Sequence, residues 1–539
     1  MARSRGETIP RRKARAVTRV VRMNPSKGTN NLVSPALIND LEYSDALNIQ
    51  YDEGGVSRKR DGYTAVFTGL TAAKGLGMYA TETLRHLVTI DNGTFKYSSA
   101  GAALNSVGTV SFTASAEVVF TQARQKLYIW NGVEGGASWD GTTLARPGTM
   151  PRASFAVFYQ TYHVAAGVSG QPNRLYISQS DDASAFTRAS GSLNNATEVP
   201  GATVFTGTTA NFIDVRKDDG DRITGLGRYQ DILIIFKERS IFQLSFDESN
   251  QPVVSPISSS TGCVSHKSID NVENDLYFLS REGVRVLGNE PNFFTAIRTN
   301  VLSTRIQNTI DSIVSSYYSK ANAHYFDNKY YLCIPTTSTG SIGRAIVYDR
   351  RFQAWSIWDN FNANSLLQYI NTSNQAQLYF LDDGGTAIYR VTPGTYSDNG
   401  TAINSYLVSK AFDMGEPDIL KYFTDIGLVF RRLSGTVSVS IYADEGLLFG
   451  SAQIGQSSNN GMGLIPLGMQ VLGEGSGDTS ETQTFADAPE RVVVGTNSRT
   501  IKFKIANATL NENFVFLGYI VAFYPYGHFN FDSSRKIYV

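Results

Sequence analysis

A chain of 539 residues can bury several cores, and at about 100 to 200 residues per domain it predicts three or four units, fewer if the architecture is repetitive β. Its 48 basic residues balance 48 acidic ones, so bulk charge names no partner; two cysteines, Cys263 and Cys333, exclude a disulfide framework or a cysteine-rich zinc site and leave one bridge open. No apolar run reaches the roughly 18 residues of a spanning helix, and the basic N-terminus lacks the stretch of about 7 to 15 apolar residues of a signal peptide, so the chain reads as soluble, unprocessed and without membrane insertion.

Charge is nevertheless uneven. Arg3, Arg5, Arg11, Arg12, Lys13, Arg15, Arg19, Arg22 and Lys27 put nine cations in the first 27 residues against a single Glu7, leaving a head near +8 and a remainder near −8. With Gly, Pro and Ser between the arginines, and no hydrophobic period beyond VTRVVRM, this segment cannot bury enough apolar surface to fold alone. It can be a solvated tail, a nucleic-acid arm, or an arm docked on an acidic neighbouring subunit. Docking is the expectation adopted, since arginine forks suit carboxylates as well as phosphates. Further on, Ser34-Pro35 and Ser44-Asp45 resemble the openings of short helices.

From residue 86 the chain returns repeatedly to one phrase, a hydrophobic strand followed by a tight polar turn and a second strand. It starts at His86, Lys126, Arg174, Asp231, Asp275, Lys329 and Gln377, at intervals of 40, 48, 57, 44, 54 and 48 residues. About 40 to 50 residues is the period of a four-stranded propeller blade. Each unit runs apolar on both faces and must stack on neighbours, while Asp91-Asn92-Gly93, Arg281-Glu282-Gly283 and Asp382-Asp383-Gly384-Gly385 supply hairpin turns. The fold class expected is therefore all-β: a β-propeller of about six or seven blades, with a β-sandwich or a pair of barrels as the alternative. The sequons Asn92-Gly93-Thr94 and Asn507-Ala508-Thr509 are turn and strand chemistry.

One stretch departs from the pattern. Over 300–320, Leu302, Ile306, Ile310, Ile313, Val314 and Tyr317 recur at helical spacing, predicting one amphipathic helix on the rim with Asn300 as N-cap. After about residue 400 the phrase stops and LKYFTDIGLVFRRL, TVSVSIYAD, RTIKFKIANA and NFVFLGYIVAFYPYG follow. The organisation expected is 1–62 as basic arm and lead-in segment, 63–400 as propeller, and 401–539 as an antiparallel β-sandwich carrying a Gly/Ser-rich loop at about 450–485.

Catalytic signals are sparse. His86, His163, His266, His324 and His528 are scattered without metal-ligand spacing, and no GxSxG elbow, phosphate loop or dinucleotide fingerprint occurs, so no catalytic, cofactor or metal site is assigned. Asp181-Asp182 and Lys217-Asp218-Asp219-Gly220-Asp221 could serve a glycosidase or a cation, but such clusters are ordinary turns and lack the closing Glu of a calcium loop. Trp355 and Trp358, beside Arg350 and Arg351, could stack on a sugar or base; filling the space between sheets is the simpler use of such rings.

Gly28 through Pro35, Leu41-Glu42, Ala46, Asn48, Gly54-Gly55 and Arg58-Lys59-Arg60-Asp61-Gly62 together resemble the opening segment of the tail nozzle proteins of short-tailed bacteriophages, also called tail tubular protein B. TGCVSHKSIDNVENDLYFLSREGVRVL and FLGYIVAFYPYG are similar in kind to phage virion propeller proteins. The resemblance implies a non-enzymatic virion subunit, assembled in the host cytoplasm. It implies, too, a ring of six copies below the head-tail adaptor, around a lumen for the ejected double-stranded DNA. A tail fibre or spike is a further partner that the family allows. Docking onto the adaptor or a neighbouring copy falls to Arg3, Arg5, Arg11, Arg12, Lys13, Arg15, Arg19, Arg22, Arg58, Lys59 and Arg60. An acidic balance outside the head suits a conduit, because a lumen that repels phosphates does not trap the duplex. Two other readings remain: a propeller glycosidase using Asp181, Asp182, Asp218 or Asp219, and a receptor-binding protein using loops such as 455–485.

Overall fold

The strand Ile232–Lys237 shows what the recurring phrase does: Leu233 and Ile235 pack against the sheet before it, while Ile234 and Phe236 pack against the sheet after it. A strand buried on both faces has no solvent side to mark with polar residues, hence the continuous apolar run. In the computed structural model, which describes residues 19–23, 25–99, 101–180, 182–188, 191–192, 211–248, 252–290, 293–371, 373–444, 446–455 and 490–525, almost every element is a strand.

Seven four-stranded antiparallel blades follow one another at 73–111, 119–145, 155–214, 223–258, 270–301, 322–358 and 363–392, the last completed by the strand Gly62–Thr68. That strand comes from before the first blade and pairs antiparallel with Ala387–Thr392, so the ring is closed by joining its two ends in one sheet. Each successive pair of blades encloses its own buried cluster, seven in all, from Tyr79, Trp139 and Phe95 between the first and second to Leu76, Tyr379 and Leu381 between the seventh and first. At roughly 1.5–3 kcal/mol per fully buried large apolar side chain, these interfaces carry the ring.

All seven phrases fall in different blades, six on the second strand and one, at Arg174, on the third. The third blade has its second strand at Tyr162–Ala166, and its last strand, Asn211–Asp214, follows a long insertion, which explains the 57-residue interval. Gly93 sits at φ +78° in its hairpin, the left-handed conformation a two-residue turn requires.

Beyond the ring lies a sandwich whose interior is formed by Phe423, Ile426, Val439, Ile505, Phe514 and Val521 among others. Its strands Lys421–Ser434, Thr436–Ala443, Ile501–Asn507 and Asn513–Pro525 match the four stretches read from the sequence. The lead-in segment, expected with the arm over 1–62, is part of this sandwich. The lead-in strands Ile49–Asp52 and Val56–Lys59 belong to one sheet of the sandwich, and Asp45–Leu47 joins the sixth blade to the other, making one nine-stranded sheet.

Other expectations are corrected. The stretch 300–320 is not one helix: Phe293–Val301 is the last strand of the fifth blade and takes Asn300 with it, followed by short turns of helix at Thr304–Ile306, Gln307–Ile310 and Ser315–Lys320. Ile306, Ile310 and Ile313 are buried as the spacing predicts, but the backbone leaves the helical path where Val314 N–H donates to Pro335 O at 3.1 Å. Ser44-Asp45 leads into a strand, and Ser34-Pro35 opens a turn closed by Leu37 N–H on Ser34 O. Residues 450–455 of the Gly/Ser-rich tract extend the strand Leu447–Gly455, while 456–485 lie outside the described residues. Cys263 and Cys333 are unbridged in different blade interfaces, and burial pushes both thiols up to about 12.

Candidate functional site

The lead-in segment enters the molecule where the sixth blade, the seventh blade and the sandwich meet, and Asn48 is the hub. Its backbone is left-handed at φ +55°, its N–H donates to Ile357 O (2.8 Å), and its side chain is fully buried. Nδ2 donates to the Asp359 carboxylate and to Asn404 O (2.7 Å); Oδ1 accepts from Arg60 Nε (2.8 Å) and Asp359 N–H (3.1 Å). All four hydrogen-bonding positions of the amide are thereby filled.

Arg60 is equally committed. Its two terminal nitrogens grip Asp398 at 2.8 and 2.6 Å, and the remaining donors reach Asp359 O (2.9 Å) and Asp61 O (3.1 Å). The guanidinium lies 5.5 Å from the ring centroid of Trp358, whose Nε1 donates to Ile49 O at 3.0 Å. Arg58 makes a two-pronged pair with Asp61, 2.9 Å on each side, and reaches Asp52 at 2.9 Å. Burial would raise the Asp61 carboxyl, but the Arg58 hydrogen bonds and charge hold it below the usual range. Gly62 closes the motif, because a Cβ there would fall 2.0 Å from Ser397 O.

Lys59 turns the other way, into the sandwich, where its Nζ donates to Asn507 Oδ1 (2.8 Å) and Thr509 O (3.1 Å). Lys59 and Arg60 are therefore fully buried and Arg58 nearly so, all partnered within the chain, and their reading as docking groups for a second protein is corrected. Arg19 and Arg22 fall on the strand Arg19–Met23, which adds to Asn513–Pro525 at the sandwich sheet; Arg3, Arg5, Arg11, Arg12, Lys13 and Arg15 lie outside the described residues.

The propeller axis is the second place where chemistry gathers. First strands of all seven blades line a cavity of about 320 Å³, with Leu76, Phe120, Val157, Leu226, Asp270, Ala323 and Leu366 contributed in turn. Lys267, leading into the fifth blade, bonds Glu117, leading into the second, at 2.5 Å, and Lys74 approaches the same carboxylate at 3.4 Å. Burial would raise Glu117, but the Lys267 charge and hydrogen bond, with Lys74 behind them, pull it down to about 2. This ion pair ties together the segments leading into two blades that are three apart in the ring.

Other candidates serve the fold. Asp182 accepts from Ser184 N–H (2.9 Å) and Oγ (2.6 Å), Asp219 pairs with Lys237 at 2.7 Å, Asp218 is exposed, and Asp181 lies outside the described residues. Trp355 and Trp358 are 1 % exposed and pack between blades. His86, His163, His266 and His324 are dispersed around the ring, His528 lies outside the described residues, and no group of three or more potential metal ligands occurs among the described residues. The sequence does not mark Asn48 and Trp358 as junction residues beyond placing an asparagine ahead of the glycine turn.

No protein-family model matches the chain, and no curated protein matches it in sequence. Solved structures similar to it include YCF48 bound to D1 peptide (11 % identity, TM-score 0.37), covering 64 % of this chain and 97 % of that one. Another is BBS1N in complex with ARL6DN (10 %, TM-score 0.34), over 62 % of this chain and 98 % of that one. Virginiamycin B lyase from Staphylococcus aureus matches at 8 % identity and TM-score 0.37, over 59 % of this chain and 94 % of that one.

Proposed function

We propose that the chain is a structural subunit of a bacteriophage tail nozzle, built to assemble with copies of itself and with a head-tail adaptor around the exit path of the genome. The observation that carries this reading is the position of the resembling residues. Asn48, Arg60 and Gly62 form a welded joint between propeller and sandwich, and the basic segment before them runs back to the sandwich through the strand Arg19–Met23. A joint of this kind makes two bodies move as one, which suits a part that transmits load. The axial cavity of about 320 Å³ is too small for a duplex, so in this reading DNA passes through the lumen of the subunit ring. A basic arm is suited to an acidic neighbour, and such docking weakens with salt.

Light scattering and negative-stain imaging of the full chain, alone and with its adaptor, test the reading. A sixfold annulus is expected. A monomer under both conditions, or release of reducing ends from host surface polysaccharide, would overturn it.

A further inference from the structure

Lys59 ends the strand Val56–Lys59 in one sheet of the sandwich, and Asn507 ends Ile501–Asn507 in the other. The lysine is fully buried and the asparagine is 3 % exposed, with Nζ 2.8 Å from Oδ1. On its far side the amide Nδ2 donates to Glu512 Oε2 (2.8 Å) and Thr436 O (2.7 Å). Glu512 Oε2 also accepts from Thr436 N–H at 3.0 Å. Room for this acid comes from Gly435, at φ +91°, where a Cβ would fall 1.8 Å from Glu512 Cδ. Amine, amide and acid stand in a row, with the amine sealed from solvent.

We propose that Lys59 and Asn507 join in an intramolecular isopeptide bond, with Glu512 as the proton carrier. Neutral Nζ attacks Asn507 Cγ and a C–N bond forms; the proton that Nζ sheds reaches Nδ2 through the Glu512 carboxylate; the Cγ–Nδ2 bond breaks and ammonia leaves. A primary amide and an amine become a secondary amide and ammonia, with no change of oxidation state. Burial, the largest influence, pulls the Lys59 ammonium down to about 8 with help from Arg60 and against Glu512, so neutral amine is available near neutral pH. Other fully buried lysines lack the electrophile: Lys237 faces the Asp219 carboxylate, and Lys421 faces the carbonyls of Glu416, Ile419 and Arg499. The bond would close a loop between residues 448 positions apart and rivet the lead-in segment to the C-terminal sandwich. It stands independently of the nozzle reading.

Mass spectrometry of the denatured full-length chain decides it. The wild type is expected to be lighter than its sequence by one ammonia, and a tryptic digest to yield a branched peptide linking Lys59 to Asn507. Glu512→Gln, which keeps the hydrogen bond to the amide but cannot accept a proton, should fold and retain the full mass. Lys59→Arg should retain it too, and both variants should migrate more slowly than wild type on a denaturing gel. A wild-type chain of full mass after prolonged incubation near pH 8 overturns the proposal. So does ammonia loss confined to a cyclic imide at Asn507 with Lys59 still cut by trypsin. Undiminished cross-linking in Glu512→Gln would remove the acid from its role.

Discussion

In the fourth blade every strand hydrogen-bonds to the strand next to it in sequence, and its two faces bury leucines, isoleucines and phenylalanines against the blades on either side. At the junction the order is reversed. The strand Asp45–Leu47 lies between Ala354–Trp358 and Ser405–Val408, and the groups that fix the segment after it are charged and amide side chains, among them Asn48, Arg58, Lys59, Arg60, Asp61, Asp359 and Asp398. Local hairpins stack into a ring by the hydrophobic effect, which tolerates variation in any one contact. A joint between distant segments rests on a few polar groups, each needing its partner, and is the more brittle of the two.

The largest expected effect follows from that brittleness. Replacing Asp398 by Ala leaves the fully buried Arg60 guanidinium without its counter-ion, which costs about 3–5 kcal/mol. Chemical denaturation should show the loss, and limited proteolysis should cut first within 45–62 while the blades stay protected. Uniform proteolysis of blades and joint would show the two regions to be one cooperative unit.

Within the ring, the comparison is sharpened by a polar group that resembles the junction. His163 is fully buried, its Nε2 2.9 Å from Thr121 Oγ1 of the neighbouring blade and its Nδ1 3.2 Å from Ala183 O. Trp130 Nε1 donates to the same Thr121 oxygen at 3.0 Å. Burial lowers the imidazole to about 4, so between about 4 and its ordinary 6.5 the unfolded chain holds a proton that the folded one does not. The stability present above pH 6.5 is therefore lost as pH falls, reaching roughly 3 kcal/mol by pH 4. Unfolding midpoints taken across that window should fall in the wild type and fall less steeply in His163→Gln, the remaining slope belonging chiefly to His266, which burial also lowers to about 4.

How far the sequence reveals each region follows from the same contrast. DLYFLS is legible because Leu276 and Phe278 face one blade while Tyr277 and Leu279 face the other, so a local run of letters records the packing. In the third blade the phrase sits one strand late, since FAVFYQTYHVAA, the hairpin before it, ends in alanines and carries His163. Over 300–320 the apolar spacing states correctly which side chains go inward, but not that the backbone breaks at Val314 to bond Pro335. Arg58-Lys59-Arg60 misleads for a different reason. Charged side chains are mostly exposed, and their partners Asp398 and Asn507 lie 338 and 448 positions away, beyond any local pattern.

Ring closure links the two regions, and Gly62 stands at the link. In Gly62→Ala the new methyl meets Ser397 O, forcing the closing strand away from its neighbour at a cost of about 2 kcal/mol. The expected readout is faster amide exchange along Gly62–Thr68 and Ala387–Thr392 than in the fourth blade. Equal exchange in both would mean the ring does not depend on this closure.

Trp358→Phe should have the smallest effect and separates packing from polar attachment at one side chain. The indole is 1 % exposed among Tyr331, Phe361 and Phe380 of the sixth and seventh blades, a packing role that phenylalanine largely preserves. Its Nε1, however, is bonded to Ile49 O of the lead-in segment at 3.0 Å, and phenylalanine leaves that carbonyl without its donor. The loss expected is about 1 kcal/mol, concentrated in faster exchange of amides over 45–59. A similar loss spread evenly through the sixth and seventh blades would make the ring contribution the dominant one and the tryptophan a packing residue alone.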